Sequence, residues 1–205
     1  MSNDMWDERY AASDLVWSAT PNVWIEELTS GLLPGRVLDL AAGEGRNALW
    51  LAARGWDATA VDFSQVALDR AQQLADERLG EQASRFHTER ADLLIYSPPP
   101  SGFDLVLVVY LQIPAEQRWM VLRTAAAALA PGGRLIVIAH HTENLKSGFG
   151  GPQDPAVLYT AQDVVSDLEG TDLVAERADT VVRLVTTDAG TREALDALVV
   201  AVRAP

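Results

Sequence analysis

The chain has 205 residues, 48% of them apolar and 22% charged, which suits one soluble domain with a substantial core. Its formal charge of −13, with 16 Lys and Arg scattered rather than clustered, argues against a phosphate backbone as partner, so no nucleic acid is expected. No apolar run approaches the ~20 residues that span a bilayer, and Met1 to Glu8 has neither the basic nor the apolar region of a secretory signal. With cysteine absent as well, the expected setting is the cytoplasm, with no membrane partner.

From Arg36 to His141 short β-branched runs alternate with longer helical segments, the pattern of a parallel sheet wrapped by helices. The first strand is Arg36 to Leu40. A helix from Arg46 to Arg54 follows, closed by Gly55. The second strand, Asp57 to Asp62, leads to Ser64 as N-cap of a helix through Leu79, whose Ala67, Leu68, Ala71, Leu74 and Ala75 form a core stripe. A weaker strand near Arg85 to Thr88 precedes the proline-rich loop Ser97 to Gly102. Phe103 to Val109 reads as a strand covered on both faces. Pro114 opens a helix running to Ala130, and Pro131-Gly132-Gly133 turns the chain into a fifth strand, Arg134 to Ala139. Beyond His141 a Gly-rich loop, Gly148 to Pro155, has the length of a lid or substrate loop. Thr160 with Asp163 resembles a capping box, and strands at Leu173 to Val185 and Ala194 to Arg203 flank a turn at Asp188 to Gly190, a terminal hairpin at the sheet edge.

The chemistry begins at the strand–turn–helix Val37-Leu-Asp39-Leu-Ala41-Ala-Gly43-Glu-Gly45-Arg46-Asn47-Ala48. Glycines there let backbone approach a ligand closely, and Gly43 to Ala48 satisfies the G-x-G-x-x-A form of a dinucleotide fingerprint, with Asp62 downstream as a ribose-binding acid. Asp39 separates the two ligands that fit. Its carboxylate opposes a pyrophosphate but favours a sulfonium and an α-ammonium, the two cations of S-adenosylmethionine. Arg46 and Asn47 either bind the carboxylate of that ligand or face solvent.

Val37 to Gly45 resembles motif I of the class I S-adenosylmethionine-dependent methyltransferases, with Ala41 where that family usually has its first glycine. Val61-Asp62-Phe63-Ser64 resembles the end of its second strand, where an acid holds both ribose hydroxyls. Ala91-Asp92-Leu93 resembles the segment that meets the adenine amino group, and Leu129-Ala-Pro-Gly-Gly-Arg-Leu135 resembles its L-x-P-G-G turn. The resemblance covers roughly residues 36 to 140. It implies a Rossmann-like methyltransferase fold: a seven-stranded, mostly parallel sheet with an antiparallel last strand and helices on both faces. The whole chain then reads as one domain, with 1–35 a helical cover, 36–141 the cofactor-binding core and 142–205 the lid loop, helix and hairpin. Trp6 to Tyr10 and Leu15-Val-Trp17 resemble the tellurite-resistance-type, small-molecule branch, which makes Tyr10 and Trp17 candidate cofactor contacts; docking a helix on the core accounts for these aromatics equally well.

On the acceptor side, Tyr110 follows the fourth strand where the family presents the donor methyl. The Asn-Pro-Pro-Tyr signature of enzymes that methylate nucleobase or glutamine amino groups is replaced by Tyr110-Leu-Gln-Ile-Pro114. His140 and His141 are candidate general bases, and because neighbouring strand residues point to opposite faces, at most one looks into the crevice. No metal site is expected. The expected function is methyl transfer from S-adenosylmethionine to a small-molecule acceptor. Its rivals are an NAD(P)-dependent oxidoreductase on the same turn, and a non-catalytic module that binds S-adenosylmethionine.

Overall fold

A computed structural model describes residues 20–188 and 190–205. Seven strands form one sheet in the order β3-β2-β1-β4-β5-β7-β6, and the chain divides into two compact units. One contains the described residues up to Ser97 together with Gly102–Leu107; the other contains Pro98–Ser101 and Val108–Pro205.

In the first unit Asn22 caps helix α1, Val23–Thr29, by accepting from the Trp24 N–H, and strand β1, Arg36–Leu40, follows. Helix α2, Arg46–Ala52, leads to β2, Asp57–Asp62, which lies parallel to β1. Helix α3, Gln65–Arg78, starts at Ser64, whose hydroxyl accepts from the Ala67 N–H as expected of an N-cap. A 3₁₀ turn, Gly80–Arg85, enters β3, Phe86–Arg90, parallel to β2. The core of this unit is Val37, Leu38 and Leu40 of β1 with Ala58, Ala60 and Val61 of β2. On α3 the stripe Ala67, Leu68, Ala71 and Ala75 is buried, whereas Leu74 is half-buried at its margin. Three of those four residues are alanines, and their size sets how near the helix can come to the Gly-rich turn.

Strand β4, Phe103–Val109, runs from the first unit into the second, and Tyr110 follows it. Helix α4 is Ala115–Ala128 and β5 is Leu129–His140. The helix therefore stops two residues before the Ala130 expected from the alanine run, and the extended chain begins at Leu129 rather than after the glycines. Pro131 explains the difference: its ring disfavours helical backbone at the residue before it and removes the N–H a continuing helix needs. Helix α5, Ala161–Asp167, carries the full capping box between Thr160 and Asp163. Strands β6, Leu173–Thr187, and β7, Gly190–Arg203, form the terminal hairpin; β7 is antiparallel to both β5 and β6, which makes it the antiparallel strand of an otherwise parallel order. The second unit is held by β5 and β7 together with Arg118, a buried cation paired to Asp167 and lying over the Tyr159 ring. Among the described residues no helix is long and apolar enough to cross a membrane.

Candidate functional site

In the first unit the turn after β1 is built from backbone that most residues avoid. Ala41 at φ 59, Gly43 at φ 56 and Gly45 at φ 73 all occupy the left-handed region. Glycine enters it without a steric penalty, whereas alanine is strained by roughly 1–2 kcal/mol. Gly45 is needed for a second reason: a Cβ there would stand 3.1 Å from the Ala71 Cβ of α3 and 3.2 Å from the Phe86 ring. Several N–H groups of the turn are engaged within the protein. Ala42 donates to the Val61 carbonyl, Gly45 to the Ala42 carbonyl, and Gly43 to the Asp62 carboxylate at 2.8 Å. The N–H groups of Gly43 and Gly45 are therefore bonded within the protein, and the missing side chain at Gly45 lets Ala71 and Phe86 pack against the turn.

Asp39 is 1% exposed, and among the described residues one of its oxygens, Oδ2, has no hydrogen-bond partner. Burial pushes its carboxyl up to about 7; the Arg46 charge and the Ala48 backbone N–H pull the other way, and the Asp62 charge adds to the rise. A buried carboxylate with an unbonded oxygen is an incomplete arrangement that a cation would complete. Asp62, also buried, accepts from the Gly43 N–H through Oδ2 and from the Ser64 N–H at 2.9 Å through Oδ1, so it braces the turn and the start of α3 together. Beside it, Phe63, Arg90, Ala91 and Asp92 line an open recess, and the Arg90 Nε donates to the Phe63 carbonyl at 3.1 Å. Leu93, half-buried, is not among the lining side chains. Asn47 is buried and its Oδ1 accepts from the Asn22 N–H at 2.9 Å, so it anchors the chain entering α1 rather than facing solvent. Glu44, 2% exposed, pairs with Arg70 of α3 at 3.1 Å. Tyr10 and Trp17 lie outside the described residues.

The second unit holds a separate cluster. Tyr110, at φ 57, stacks on the His140 ring with centroids 4.5 Å apart, and its hydroxyl donates to Asp196 at 2.8 Å. The fully buried Asp196 also accepts from the Arg183 Nε at 2.8 Å. His140 Nδ1 lies 3.8 Å from the Asp196 Oδ1 and, among the described residues, has no hydrogen-bond partner. Burial lowers the pKa of His140, Asp196 raises it, and Arg183 lowers it. His141 points elsewhere: it is buried, its Nδ1 accepts from the Glu143 N–H at 3.1 Å, and its Nε2 lies 3.2 Å from the Thr180 hydroxyl. Strand alternation thus separates the two histidines, and His141 is committed to the turn that follows β5.

A family model described as a methyltransferase domain matches residues 37–133, which run from Asp39 through the Gly-rich turn, Asp62 and Asp92 to Gly133. Residues 37–133 form a methyltransferase domain of the class I S-adenosylmethionine-dependent kind. Among curated relatives, the methyltransferase acting on 27-O-demethylrifamycin SV in Amycolatopsis mediterranei is 30% identical over 63% of this chain and 47% of its own length. The tRNA 5-carboxymethoxyuridine methyltransferase of Escherichia coli is 32% identical over 54% of this chain and 42% of its own. The chain thus spans about half the length of these two relatives. The structure of TehB from Haemophilus influenzae superposes with a TM-score of 0.68 at 16% identity, over 98% of this methyltransferase and 66% of that chain, a likeness of fold.

S-adenosylmethionine is the cofactor of this class, and the unbonded, buried Asp39 oxygen suits a cationic ligand of that kind. Sequence reasoning missed Arg90, Arg183 and Asp196. Arg90 directly precedes the Ala91-Asp92 motif, and Asp196 is the lone acid in the run Ala194 to Ala201, a polar residue in an apolar strand that needs a reason to be there.

Proposed function

We propose that this methyltransferase transfers the methyl group of S-adenosylmethionine to a small-molecule acceptor. The observation that carries the reading is the buried, half-bonded carboxylate of Asp39 beside a turn in which Gly43 and Gly45 stand in left-handed backbone. Asp39 meets the α-ammonium of the cofactor, Arg46 its carboxylate, and Gly43, Gly45 and Ala41 give the close approach. Asp62 takes the ribose hydroxyls, and the recess of Phe63, Arg90, Ala91 and Asp92 takes the adenine, with the Asp92 carboxylate accepting from the amino group. When bound, the cofactor supplies an electrophilic methyl on a sulfonium. The protein's part is alignment and exclusion of water, for which up to ~7–11 kcal/mol is available in principle.

Tyr110 and His140 are assigned to the acceptor side, His140 as the proton acceptor. The formal charge of −13 supports a small molecule over tRNA, even though one relative's name specifies tRNA. Titration calorimetry with S-adenosylhomocysteine should show saturable one-site binding, with NAD giving no heat. Binding of NAD in its place would overturn the cofactor assignment. A screen with radiolabelled methyl donor against metabolite extract and against total tRNA separates the acceptors. Label recovered in small molecules is expected, and label confined to tRNA would overturn that half of the reading.

A further inference from the structure

The cluster around His140 owes its form to strand register. In the antiparallel pairing of β5 with β7, His140 stands directly opposite Asp196. In the pairing of β6 with β7, Arg183 stands opposite Ala194, two residues from Asp196 and so on the same face. A histidine, an acid and a cation are thus brought together by the sheet itself. Tyr110 joins them from the end of β4 in strained left-handed backbone, its N–H donating to the Ile138 carbonyl at 2.7 Å. Gly151, from the Gly-rich loop, approaches so closely that a Cβ there would lie 2.7 Å from the His140 Cγ. Among the described residues, the charged and titratable groups facing the ring are Asp196 from β7, Arg183 from β6 and Tyr110.

We infer that Asp196 and Arg183 are positioning residues that hold His140 in its Nδ1–H tautomer, with Nε2 bare and available to a proton. This rests on the methyltransferase reading only for its use, not for its geometry. Two donors, the Tyr110 hydroxyl and the Arg183 Nε, already converge on Oδ2 of Asp196. Its Oδ1 is left with a long contact of 3.4 Å from the Arg183 Nη2 and the His140 Nδ1 at 3.8 Å. That oxygen stands 3.8 Å from Nδ1 across the pairing of β5 with β7, and a carboxylate oxygen stabilises only a nitrogen that carries hydrogen. Arg183 offsets the Asp196 charge, so the acid directs the proton on Nδ1 without making the whole ring cationic. A ring held in this way suits an acceptor whose hydroxyl must shed its proton: the O–H bond breaks, the proton moves to Nε2, and the electron pair stays on oxygen as the nucleophile.

The chain has three histidines, so long-range ¹H–¹⁵N spectra of histidine-labelled protein resolve each ring nitrogen. Wild-type His140 should show hydrogen on Nδ1 at pH 7.5. In Asp196→Asn the two donors onto Oδ2 require an oxygen at that position, so the amide NH₂ takes the place of Oδ1. Nδ1 must then accept, and the protonated and bare nitrogens should exchange places. Arg183→Gln should keep the Nδ1–H tautomer and raise the His140 pKa, because the cation that lowers it is gone. A purely structural role for Asp196 would not reverse the tautomer in a folded variant. Hydrogen on Nε2 in the wild type, or an unchanged tautomer in folded Asp196→Asn, overturns the inference. Should Asp196→Asn fail to fold, the wild-type tautomer and the direction of the Arg183→Gln shift still decide. Because S-adenosylhomocysteine binding is measured separately, failure of the cofactor reading is distinguishable from failure of this one.

Discussion

Asp39→Asn isolates the energetics of the cofactor turn, because it removes a charge while keeping the shape. In the folded protein burial pushes the Asp39 carboxyl up to about 7 from an ordinary 3.8. At about 1.4 kcal/mol per pH unit, that interval corresponds to about 4 kcal/mol. The sign follows from which state holds the proton. Between pH 4 and 7 the folded chain keeps a proton that the unfolded chain has released, so this contribution to stability is complete below pH 4 and lost as pH rises to 7. Asparagine carries no charge at any of these pH values. At pH 8 the variant without ligand should therefore be more stable than wild type by up to about 4 kcal/mol, which for a chain of this size is on the order of 10 °C in Tm. Other carboxylates shift both proteins alike, so the difference between the two curves reports Asp39. Ligand binding should run the opposite way. The α-ammonium binds the ionised carboxylate, so wild-type affinity for S-adenosylhomocysteine should rise up to about tenfold per pH unit between pH 5 and 7 and then level off. Asp39→Asn should bind weakly with no such slope. The assay is thermal unfolding and calorimetry of both proteins at pH 5, 6, 7 and 8. A Tm difference that does not grow with pH, together with a flat wild-type affinity, would refute the reasoning.

Three further substitutions probe the same turn, and a fourth in α4 serves as a control. Gly45→Ala forces a side chain into backbone at φ 73 and against Ala71 and Phe86, and should cost about 1–2 kcal/mol or more of stability, read as a Tm lower by several degrees. Ala41→Gly relieves a strain of similar size at φ 59 while loosening the unfolded chain by about 0.4–1 kcal/mol, so its stability should match or exceed wild type. Ala125→Gly, buried within α4, should lose about 1 kcal/mol, and equal losses in the two alanine variants would show that Ala41 is not strained. Asp62→Asn turns an amide NH₂ toward the N–H of either Gly43 or Ser64. One buried donor is then left unbonded at a cost of about 1–3 kcal/mol, and S-adenosylhomocysteine should bind more weakly. Wild-type affinity in that variant would remove Asp62 from the site.

The residues that sequence reasoning located and those it missed differ in one physical respect. β1, β2 and β4 were legible because each is a short apolar run between turn residues, and Asp39 was legible as a site residue because an acid inside such a run asks for a partner. Glycines 43 and 45 were legible because their side-chain-free backbone is a local requirement, and it can be read without knowing what lies across from it. Asp196 carries the same signal as Asp39, a lone acid in the apolar run of β7, yet its meaning depends on which residue the register sets opposite. One step of slippage between β5 and β7 would turn Asp196 to the other face and dissolve the cluster. That register is fixed by the pairing of the whole strand from Arg134 to His140, and no local pattern encodes it. Asn47 shows the converse. Its place at the first turn of α2 left a ligand contact and a solvent-facing side chain both open, and its Oδ1 is bonded to the backbone of Asn22, 25 residues earlier. The sequence therefore reveals where a polar group is out of place, and the paired strands decide what answers it. For Asp39 no group among the described residues answers its Oδ2, which is why that oxygen is assigned to a ligand in the proposed function. For Asp196 three residues converge from three other strands, so its business is within the protein, and the ring of His140 is the part of that group able to act outside it.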